Sequence, residues 1–347
     1  MATPPSKSSS KPAPFFIYVK FFVSIDKNIN MYNIKHYNNL IRSFIMSISK
    51  PFQSRNASDI EYVSFNDAFE TGSPVDKRKA EKLLANIHGG LYNDTFPIPC
   101  EQESLDYWLN NLKNGREKGQ QLLTAFGRNL DSDNPEIMGF ICCRVLADSN
   151  CALIDYVIRD KEYAKELRGI EMCEHAEKGL QDLNMRINGQ PLKAIFWEVN
   201  DPAKIEYDEN NPDPMIDCMA PQKRIDVIEK KFGCEKLGFD YVQGPLKPCS
   251  NQKEIDERVC EELSLYQYRA KNYRDVTATD LKKFIIHYNK ATNQECDPYY
   301  LNHPSINKMM NQLSLMEKEN IPIVANMQTG EQKLKIAGCK DNKPQCK

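Results

Sequence analysis

Residues 151–197 read CALIDYVIRDKEYAKELRGIEMCEHAEKGLQDLNMRINGQPLKAIFW, a stretch in which two kinds of hydrophobic pattern alternate. Residues 152–158 form an apolar run of strand length, and residues 194–197 form a second one. Between them, over 169–183, apolar residues recur at helical spacing. A strand followed by a crossover helix and another strand predicts two parallel neighbouring strands with a right-handed connection.

Two further strand-like runs precede this stretch, at 121–126 and 137–146. The turn-rich segment between them, DSDNP at 131–135, is too short for a crossover. Together with the run at 152–158 they predict an antiparallel meander of three strands.

Helices are predicted on both sides of these strands. Ser73 is a capping residue ahead of Pro74 and begins the first helix, which His88-Gly89-Gly90 is expected to end. The remaining predicted elements are a helix with apolar residues at 105, 108, 109 and 112, a helix over 225–232, a short strand through Tyr241 and Val242, a strand at 263–268 that pairs with it, and two amphipathic helices at 281–288 and 306–313.

This order of elements is similar to that of the GNAT superfamily of N-acetyltransferases. Two segments resemble one bacterial branch of that family: FWEVNDP at 196–202 and EKLGFDYVQGPL at 235–246. The strand, loop and helix around Gly169 resemble the place where the family binds the diphosphate of coenzyme A. The late helices resemble the carboxyl-terminal extension of the same branch.

The resemblance implies an α/β (α+β) fold with a mixed, mostly antiparallel twisted sheet, a parallel splayed strand pair and flanking helices. It also implies a division of the chain. Residues 1–55 are expected to be a disordered or dispensable leader, and residues 60–270 a GNAT-like acetyltransferase domain. Residues 271–320 are expected to form a helical extension packed on that domain, and residues 321–347 a flexible tail.

The resemblance further implies acetyl-CoA as co-substrate and a primary amine as acceptor. In such a fold the pantetheine arm lies along the open strand, and helix-start amides favour the diphosphate anion. The residues expected to bind acetyl-CoA are Val157, Ile158, Arg159, Lys165, Arg168, Gly169, Ile170 and Asn200.

Acetyl transfer from a thioester to an ammonium needs a base and an acid. Glu198, at the end of an apolar strand, is the candidate base; alternatively it is an edge glutamate paired with an arginine. For the acid, Cys234 stands where many relatives have a tyrosine, Tyr241 is its rival, and solvent is a third possibility. A catalytically inactive module that binds coenzyme A or a protein partner remains the alternative function.

Composition limits the other classes of function. The 46 Lys and Arg residues nearly cancel the 48 Asp and Glu residues, which argues against nucleic acid and anionic membranes as partners. The apolar stretch at 15–25 is shorter than the ~20 residues that span a bilayer. Five scattered histidines and no CxxC motif predict no metal site.

Two remaining features concern compartment and acceptor. The twelve cysteines are spread along the chain, which favours reduced thiols and a cytoplasmic location. The run 206–217 is acidic with no basic residue, so it is expected to attract a cationic amine if it lies near the acceptor site. The oligomeric state stays open.

Overall fold

The computed structural model describes residues 52–54, 60–96, 102–114, 120–204, 221–245, 251–269, 272–273, 276–292, 302–321 and 323. The acidic run 206–217, most of the expected leader and most of the expected tail lie outside these residues. Within the described parts, no helix has both the length and the apolar character needed to cross a bilayer.

The described strands form one mixed sheet. They are β1 (Phe52–Ser54), β2 (Glu61–Ser64), β3 (Gln120–Arg128), β4 (Glu136–Leu146), β5 (Cys151–Arg159), β6 (Ala194–Asn200), β7 (Glu235–Lys236) and β8 (Leu263–Gln267). Their order is β1-β2-β3-β4-β5-β6-β8-β7. Neighbours are antiparallel except β5 and β6, which are parallel. The predicted fold class is therefore confirmed.

Helices cover both faces of this sheet. They are α1 (Phe65–Thr71), α2 (Pro74–Ile87), α3 (Leu105–Asn114), α4 (Gly169–Asn188), α5 (Pro221–Phe232), α6 (Gln252–Arg258), α7 (Ala278–Thr292) and α8 (Pro304–Glu319). Helices α4 and α5 bury their apolar side chains on one face of the sheet. On the other face, α1 to α3 pack against β3 and β4, while α7 and α8 pack against β5, β6 and β8.

The parallel strands β5 and β6 separate after a short pairing. They pair from Cys151 with Ala194 to Ile154 with Trp197, and no pairing between them follows. Beyond that point β5 stays paired with β4, while β6 pairs with β8. The expected splayed pair is thus confirmed.

A β-bulge lies where the two strands separate. On β4 the neighbours Cys142 and Cys143 face Tyr156 and Ile154, so Asp155 is an extra residue on β5 without a partner in the register. A bulge bends its strand and increases the local twist. It therefore helps to turn the second half of β5 away from β6.

The predicted strand through Tyr241 and Val242 is wrong. The strand of this segment is β7, a few residues earlier, and β8 pairs with β6 and β7. Tyr241 and Val242 are buried but belong to no strand; the neighbouring Gln243 makes an isolated antiparallel bridge with Cys260. The Val242 amide contacts the sulfur of Met309 on α8 at 3.3 Å, so this segment packs on the late helices.

The expected end of the first helix at His88-Gly89-Gly90 is confirmed, since α2 begins with a capping box of Ser73 and Asp76 and ends at Ile87 with His88 as its cap. The chain nevertheless stays helical beyond that point, through a wide π-helical turn, His88–Tyr92, and a short α-helical turn, Asn93–Thr95. Tyr92 is fully buried against Trp108 of α3. This packing outweighs the cost of two glycines in a helix, about 1 kcal/mol each.

Residues near both ends of the described region take part in the fold, although the sequence predicted a leader and a tail outside it. Residues Phe52–Ser54, within the expected leader, form β1 and pair with β2. Ile323, within the expected tail, is buried, and its carbonyl accepts a hydrogen bond from the Gly238 amide at 2.8 Å. Neither segment carries an apolar periodicity long enough to predict this.

Gly139 on β4 allows α4 to approach the sheet. A Cβ there would lie 2.7 Å from Cδ2 of Leu167, 3.0 Å from Cε of Met172 and 3.1 Å from the Ile158 carbonyl oxygen. We expect Gly139→Ala to lower the free energy of unfolding by about 1–3 kcal/mol, measured by urea denaturation.

Gly89→Ala is the matched control for that substitution. A Cβ at Gly89 would meet nothing within 4 Å, and the residue is helical. We expect a gain of about 0.5–1 kcal/mol there. Equal stability of the Gly139→Ala variant and the native chain would contradict the close approach of α4.

Candidate active site

The start of α4 carries most of the residues expected to bind the diphosphate. Gly169 is buried at the first helical position, and Arg168 precedes it as the capping residue. The Arg168 amide and guanidinium both contact the Glu171 carboxylate, with Nε to Oε1 at 2.9 Å. Lys165 is exposed in the loop just before. The first amides of a helix have no acceptor inside it, and they point towards the helix start.

Arg159 has a structural contact in the same loop. Its side chain is buried, and Nη1 donates to the carbonyl oxygens of Ala164 at 3.1 Å and Leu167 at 3.2 Å. These bonds hold the loop that connects β5 to α4. Through Arg159, the end of the open strand and the start of the helix form one unit.

The other residues expected at the cofactor site flank the separated strands. Val157 and Ile158 are buried in the half of β5 that β6 does not pair. Their side chains point to opposite faces of the sheet, one towards α4 and one towards α3. Asn200 is the last residue of β6, in register with Leu263 of β8. Ile170 is partly buried at the second position of α4.

Glu198 and Tyr241 lie in direct contact. The Tyr241 hydroxyl donates a hydrogen bond to Oε1 of Glu198, and Nε2 of Gln243 donates to Oε2 at 2.6 Å. The Tyr288 hydroxyl on α7 approaches the same Oε2 at 3.4 Å. The carboxyl is the first side chain of β6 beyond its pairing with β5. The structure thus brings the candidate base and one candidate acid together.

The surroundings of Glu198 favour a proton acceptor near neutral pH. Burial raises the pKa of Glu198 to about 6, although the hydrogen bonds from Tyr241 and Gln243 and the charge of Arg144 oppose the rise. The residue as a whole keeps partial exposure. A general base works best when its pKa lies close to the working pH, and this carboxyl meets that condition.

Cys234 is not part of this contact. It is buried with Trp197, Phe232 and Tyr268 on the sheet face that α4 and α5 cover. Glu198 alternates with Trp197 and Val199 along β6, so its side chain points to the other face. Burial raises the pKa of the Cys234 thiol far above its usual value, which is typical of an inert packing residue.

A second buried polar cluster, centred on Arg144 of β4, lies on the same sheet face as Glu198. Nε of Arg144 donates to both Asp155 oxygens at 2.9 and 3.0 Å, and Nη2 donates to Oε1 of Glu103 at 2.7 Å. Nη1 donates to the Tyr107 hydroxyl at 3.2 Å. The side chains of Arg144, Glu103 and Asp155 are 1%, 3% and 4% exposed. We call Glu103, Arg144 and Asp155 the arginine cluster.

Further contacts fix the arginine cluster in place. The second oxygen of Glu103 accepts hydrogen bonds from the indole of Trp108 at 2.6 Å and from Gln121 at 3.1 Å. The guanidinium of Arg144 lies over the ring of Tyr288, 5.4 Å from its centroid. Within the described residues, no group of three or more His, Cys, Asp or Glu side chains is placed to hold a metal ion.

The arginine cluster contains two carboxyl groups, Glu103 and Asp155, and one guanidinium, Arg144. Burial raises the pKa of Asp155 to about 7, because the loss of solvent and the nearby Glu103 and Glu198 outweigh the attraction of Arg144. Two carboxyl groups, Asp155 and Glu198, therefore titrate close to neutral pH in one region of the protein.

The arginine cluster, Gln243 and Tyr288 were not among the predicted site residues. A signal was present for two of them: Arg144 interrupts the apolar run ICCRVL, and Asp155 interrupts CALIDYVI. Charged residues inside strands of this kind are seldom buried unless they are paired. Gln243 lies in the segment 235–246 that resembles the bacterial branch, but no role was assigned to it there. Glu103 lies in a polar segment and Tyr288 on an apolar helix stripe, so no local pattern distinguishes those two.

Among known proteins, this chain is similar to solved structures but not to any family model or curated sequence. No protein-family model matches the sequence, and no curated protein is significantly similar to it. In the described residues the strand order, the parallel pair of β5 and β6 and its early separation are those of a GNAT-like fold. Solved structures that are similar to the chain include acetyltransferases.

Three of these structures illustrate the degree of similarity. The catalytic domain of a Tetrahymena histone acetyltransferase in complex with coenzyme A is 10% identical, with 64% of this chain and 98% of that chain covered and a TM-score of 0.31. A GNAT-family acetyltransferase from Staphylococcus aureus is 11% identical, with 60% and 98% covered and a TM-score of 0.32.

The ribosomal-protein-S18-alanine N-acetyltransferase from Escherichia coli is 13% identical, with 56% of this chain and 88% of that chain covered and a TM-score of 0.29. These values are low, so the assignment of the fold rests on the strand order and the separated pair.

Proposed function

We propose that this chain transfers an acetyl group from acetyl-CoA to a primary amine by direct attack of the amine on the thioester. One observation carries the proposal: β5 and β6 separate after Ile154 and Trp197, and the next side chain of β6 is a carboxyl hydrogen-bonded to a tyrosine. An opening between strands suits an extended ligand, and a carboxyl with a raised pKa suits proton removal.

The residues around the opening fit acetyl-CoA, which supplies the activated acyl group. Main chain of β5 beyond Ile154, including Val157 and Ile158, would hold the pantetheine arm, because β6 does not pair there. The start of α4 at Gly169 and Ile170, with its helix dipole and free amides, suits the diphosphate. Arg168 and Lys165 are exposed beside it and would add positive charge.

Glu198 and Tyr241 together account for the two proton movements. Glu198 would take a proton from the acceptor ammonium, whose nitrogen then forms the amide bond while the carbon–sulfur bond breaks. Tyr241 would protonate the leaving sulfur. Since the Tyr241 hydroxyl donates to Glu198, the first proton gained by the carboxyl can return to the tyrosine after it has protonated the sulfur. Glu198 is then free to take the second proton, which the nitrogen loses as the amide forms, and to release it to solvent.

The charge near Glu198 favours a cationic acceptor. The arginine cluster and Glu198 combine three carboxyl groups with one guanidinium on the same sheet face. An ammonium group would compensate the excess negative charge, whereas an anionic acceptor would add to it. A lysine side chain, a polyamine or an aminoglycoside-like amine meets this requirement.

Two measurements on the full chain test the proposal. Calorimetry with acetyl-CoA should show binding, and a thiol assay with a panel of primary amines should show release of coenzyme A that depends on the amine. Binding without release would leave a coenzyme-A-binding module. Absence of both would end the assignment.

Charge reversal at the start of α4 should weaken binding. Arg168→Glu removes a positive side chain beside Gly169 and adds a second carboxylate next to Glu171. We expect the dissociation constant of coenzyme A to rise at least about tenfold, since each such contact contributes roughly 1.5–3 kcal/mol. Lys178→Glu, the same charge change at an exposed position of α4, is the control and should leave binding unchanged. Equal weakening by both would refute a specific diphosphate site.

A further inference from the structure

Tyr288 contacts the candidate base from the part of the chain that was predicted to be a helical extension. It lies on α7, and its hydroxyl donates to Oε2 of Glu198 at 3.4 Å. The residue is only 2% exposed. Helix α7 therefore supplies a side chain to the proposed active site in addition to its packing against the sheet.

The ring of Tyr288 is held in a fixed place relative to β6. It stacks on Phe284, one helical turn earlier, with the ring centroids 6.1 Å apart and the planes inclined by 9°. The guanidinium of Arg144 lies over the same ring, 5.4 Å from its centroid. Phe284 in turn packs edge-on against Phe196 at 4.6 Å. Since Phe196 and Glu198 are alternate residues of one strand, these contacts fix the tyrosine hydroxyl against the carboxyl.

The hydrogen-bond donors around Glu198 fill most of its acceptor capacity. An ionised carboxylate has about four acceptor sites, two on each oxygen. Among the described residues, Tyr241 donates to Oε1, while Gln243 and Tyr288 both donate to Oε2. Both sites of Oε2 are then occupied, and the site that is left lies on Oε1.

We propose that Tyr288 is a positioning residue, which occupies the second acceptor site of Oε2 and thereby directs the proton of the acceptor ammonium to Oε1 of Glu198. This role rests on the proposed function of Glu198 as the base. Oε1 is the oxygen that accepts the hydrogen bond of Tyr241. The proton would therefore arrive beside the group that protonates the sulfur, and Tyr288 need not touch a substrate.

The Tyr288 hydroxyl is suited to hold the carboxylate rather than to exchange protons with it. Burial raises the pKa of Tyr288 well above its usual value, and the charge of Glu198 acts in the same direction. The hydroxyl therefore keeps its proton over the working pH range and remains a donor. Its hydrogen bond favours the ionised form of Glu198, whereas burial favours the neutral form.

Removal of this hydroxyl alone leaves the other charged and titratable groups of the region in place. These groups are Glu103 just before α3, Tyr107 on α3, Cys142 and Arg144 on β4, Asp155 and Tyr156 on β5, and Tyr241 after β7. Asp155, with a pKa of about 7, mostly keeps its proton where Glu198 titrates, near pH 6. A change in the Glu198 titration on loss of the hydroxyl therefore reports the lost hydrogen bond.

The closing experiment measures the titration of Glu198 in the full chain, without acetyl-CoA or amine. Carbon-13 labelling of glutamate side chains gives carboxyl resonances, and the one missing in Glu198→Gln identifies Glu198. Tyr288→Phe keeps the ring and its contacts with Phe284 and Arg144. We expect the Glu198 midpoint to rise in this variant by about half a pH unit, because a hydrogen bond to the ionised form is lost. The acid limb of kcat/KM for acetyl transfer should rise by the same amount.

Two comparisons distinguish positioning from a structural role. Tyr268→Phe is the same change at a fully buried tyrosine on the opposite sheet face, and it should leave the midpoint in place. In the native chain Tyr288→Phe should lower kcat about three- to tenfold, since a misplaced carboxyl accepts the proton less readily. In the Glu198→Gln chain the same substitution should lower kcat no further, because two residues that act through one group are not additive.

An unchanged or lower Glu198 midpoint in Tyr288→Phe would overturn the positioning role. So would an equal loss of kcat from Tyr288→Phe in the native and the Glu198→Gln chains. The two proposals can fail separately. Failure of the native chain to transfer acetyl groups would remove the proposed function, yet the titration would still decide whether Tyr288 holds the carboxylate. Active transfer with a midpoint that does not respond to Tyr288→Phe would keep the function and remove this inference.

Discussion

Glu198→Gln is expected to lower kcat of acetyl transfer by about 10²- to 10⁴-fold, the usual contribution of a general base. The amide cannot accept the ammonium proton, but it keeps the size of the side chain and can still contact Tyr241 and Gln243. The main chain of Glu198, in register with Leu265 of β8, is unaffected. Binding of coenzyme A, measured by calorimetry, should therefore stay within about twofold of the native value.

The pH profile adds a second readout for the same variant. Because the pKa of Glu198 is raised to about 6, kcat/KM of the native chain should fall about tenfold per pH unit below that value. The glutamine variant should lose this acid limb. Glu174→Gln, an exposed carboxylate of α4 paired with Arg269, is the control. Native activity and an unchanged acid limb in Glu198→Gln would rule out Glu198 as the base.

Sequence patterns were sufficient for the elements that carry a continuous apolar run or a helical apolar periodicity. The meander, the crossover helix and the second parallel strand follow from strand-length runs and helical periodicity within 120–200, and the structure contains all of them. The cap at Ser73 ahead of Pro74 is local chemistry and was predicted for the same reason. These features depend on residues close to one another in sequence.

Features that depend on distant contacts were not predictable. The segment at Tyr241 looks like a strand, yet its amide and side-chain contacts come from α8 and from Glu198, 67 and 43 residues away. The chain stays helical past the two glycines after α2 because Tyr92 packs against Trp108 of a different helix. A local sequence pattern does not contain these distant partners, so it cannot show that their contacts decide the structure of the segment.

In the candidate site, too, some residues were predictable from local sequence and others depend on distant contacts. Glu198 and the glycine at the start of α4 lie in motifs, whereas the arginine cluster joins Glu103, two residues before α3, to Arg144 of β4 and Asp155 of β5. Glu103 and Arg144 are 41 residues apart in sequence. The sequence does show that Arg144 and Asp155 lie within apolar strands. Buried charges require partners, so this position predicts that each of them is paired.

Arg144→Met is expected to lower the free energy of unfolding by about 3–5 kcal/mol at pH 8, because it leaves two buried carboxyl groups without their cation. The side chain of Arg144 is 1% exposed and contacts Glu103 at 2.7 Å and Asp155 at 2.9 Å. Methionine fills a similar volume without strain, so the loss reports charge rather than a cavity. Urea denaturation at fixed temperature gives the value.

The loss of unfolding free energy caused by Arg144→Met should be smaller at pH 5.5 than at pH 8. In the native chain the pKa of Asp155 is raised from 3.8 to about 7, mainly by burial, so its contribution to stability is complete below about pH 4 and is lost as the pH rises through 7. Arg144 opposes that rise in pKa, so without it the carboxyl binds its proton up to still higher pH. The variant then continues to lose stability above pH 7, where the native chain does not.

Arg128→Met is the matched control for this effect. Arg128 also contacts two carboxylates, Glu136 at 2.8 Å and Glu166, but its side chain is 29% exposed. Exposed ion pairs contribute little to stability, so Arg128→Met should lose little stability, and its loss should be the same at pH 5.5 and pH 8. Adding Asp155→Asn and Glu103→Gln to Arg144→Met should recover most of the loss, since no buried charge then lacks a partner. A pH-independent loss that the added substitutions do not recover would show that Arg144 stabilises the core by packing alone.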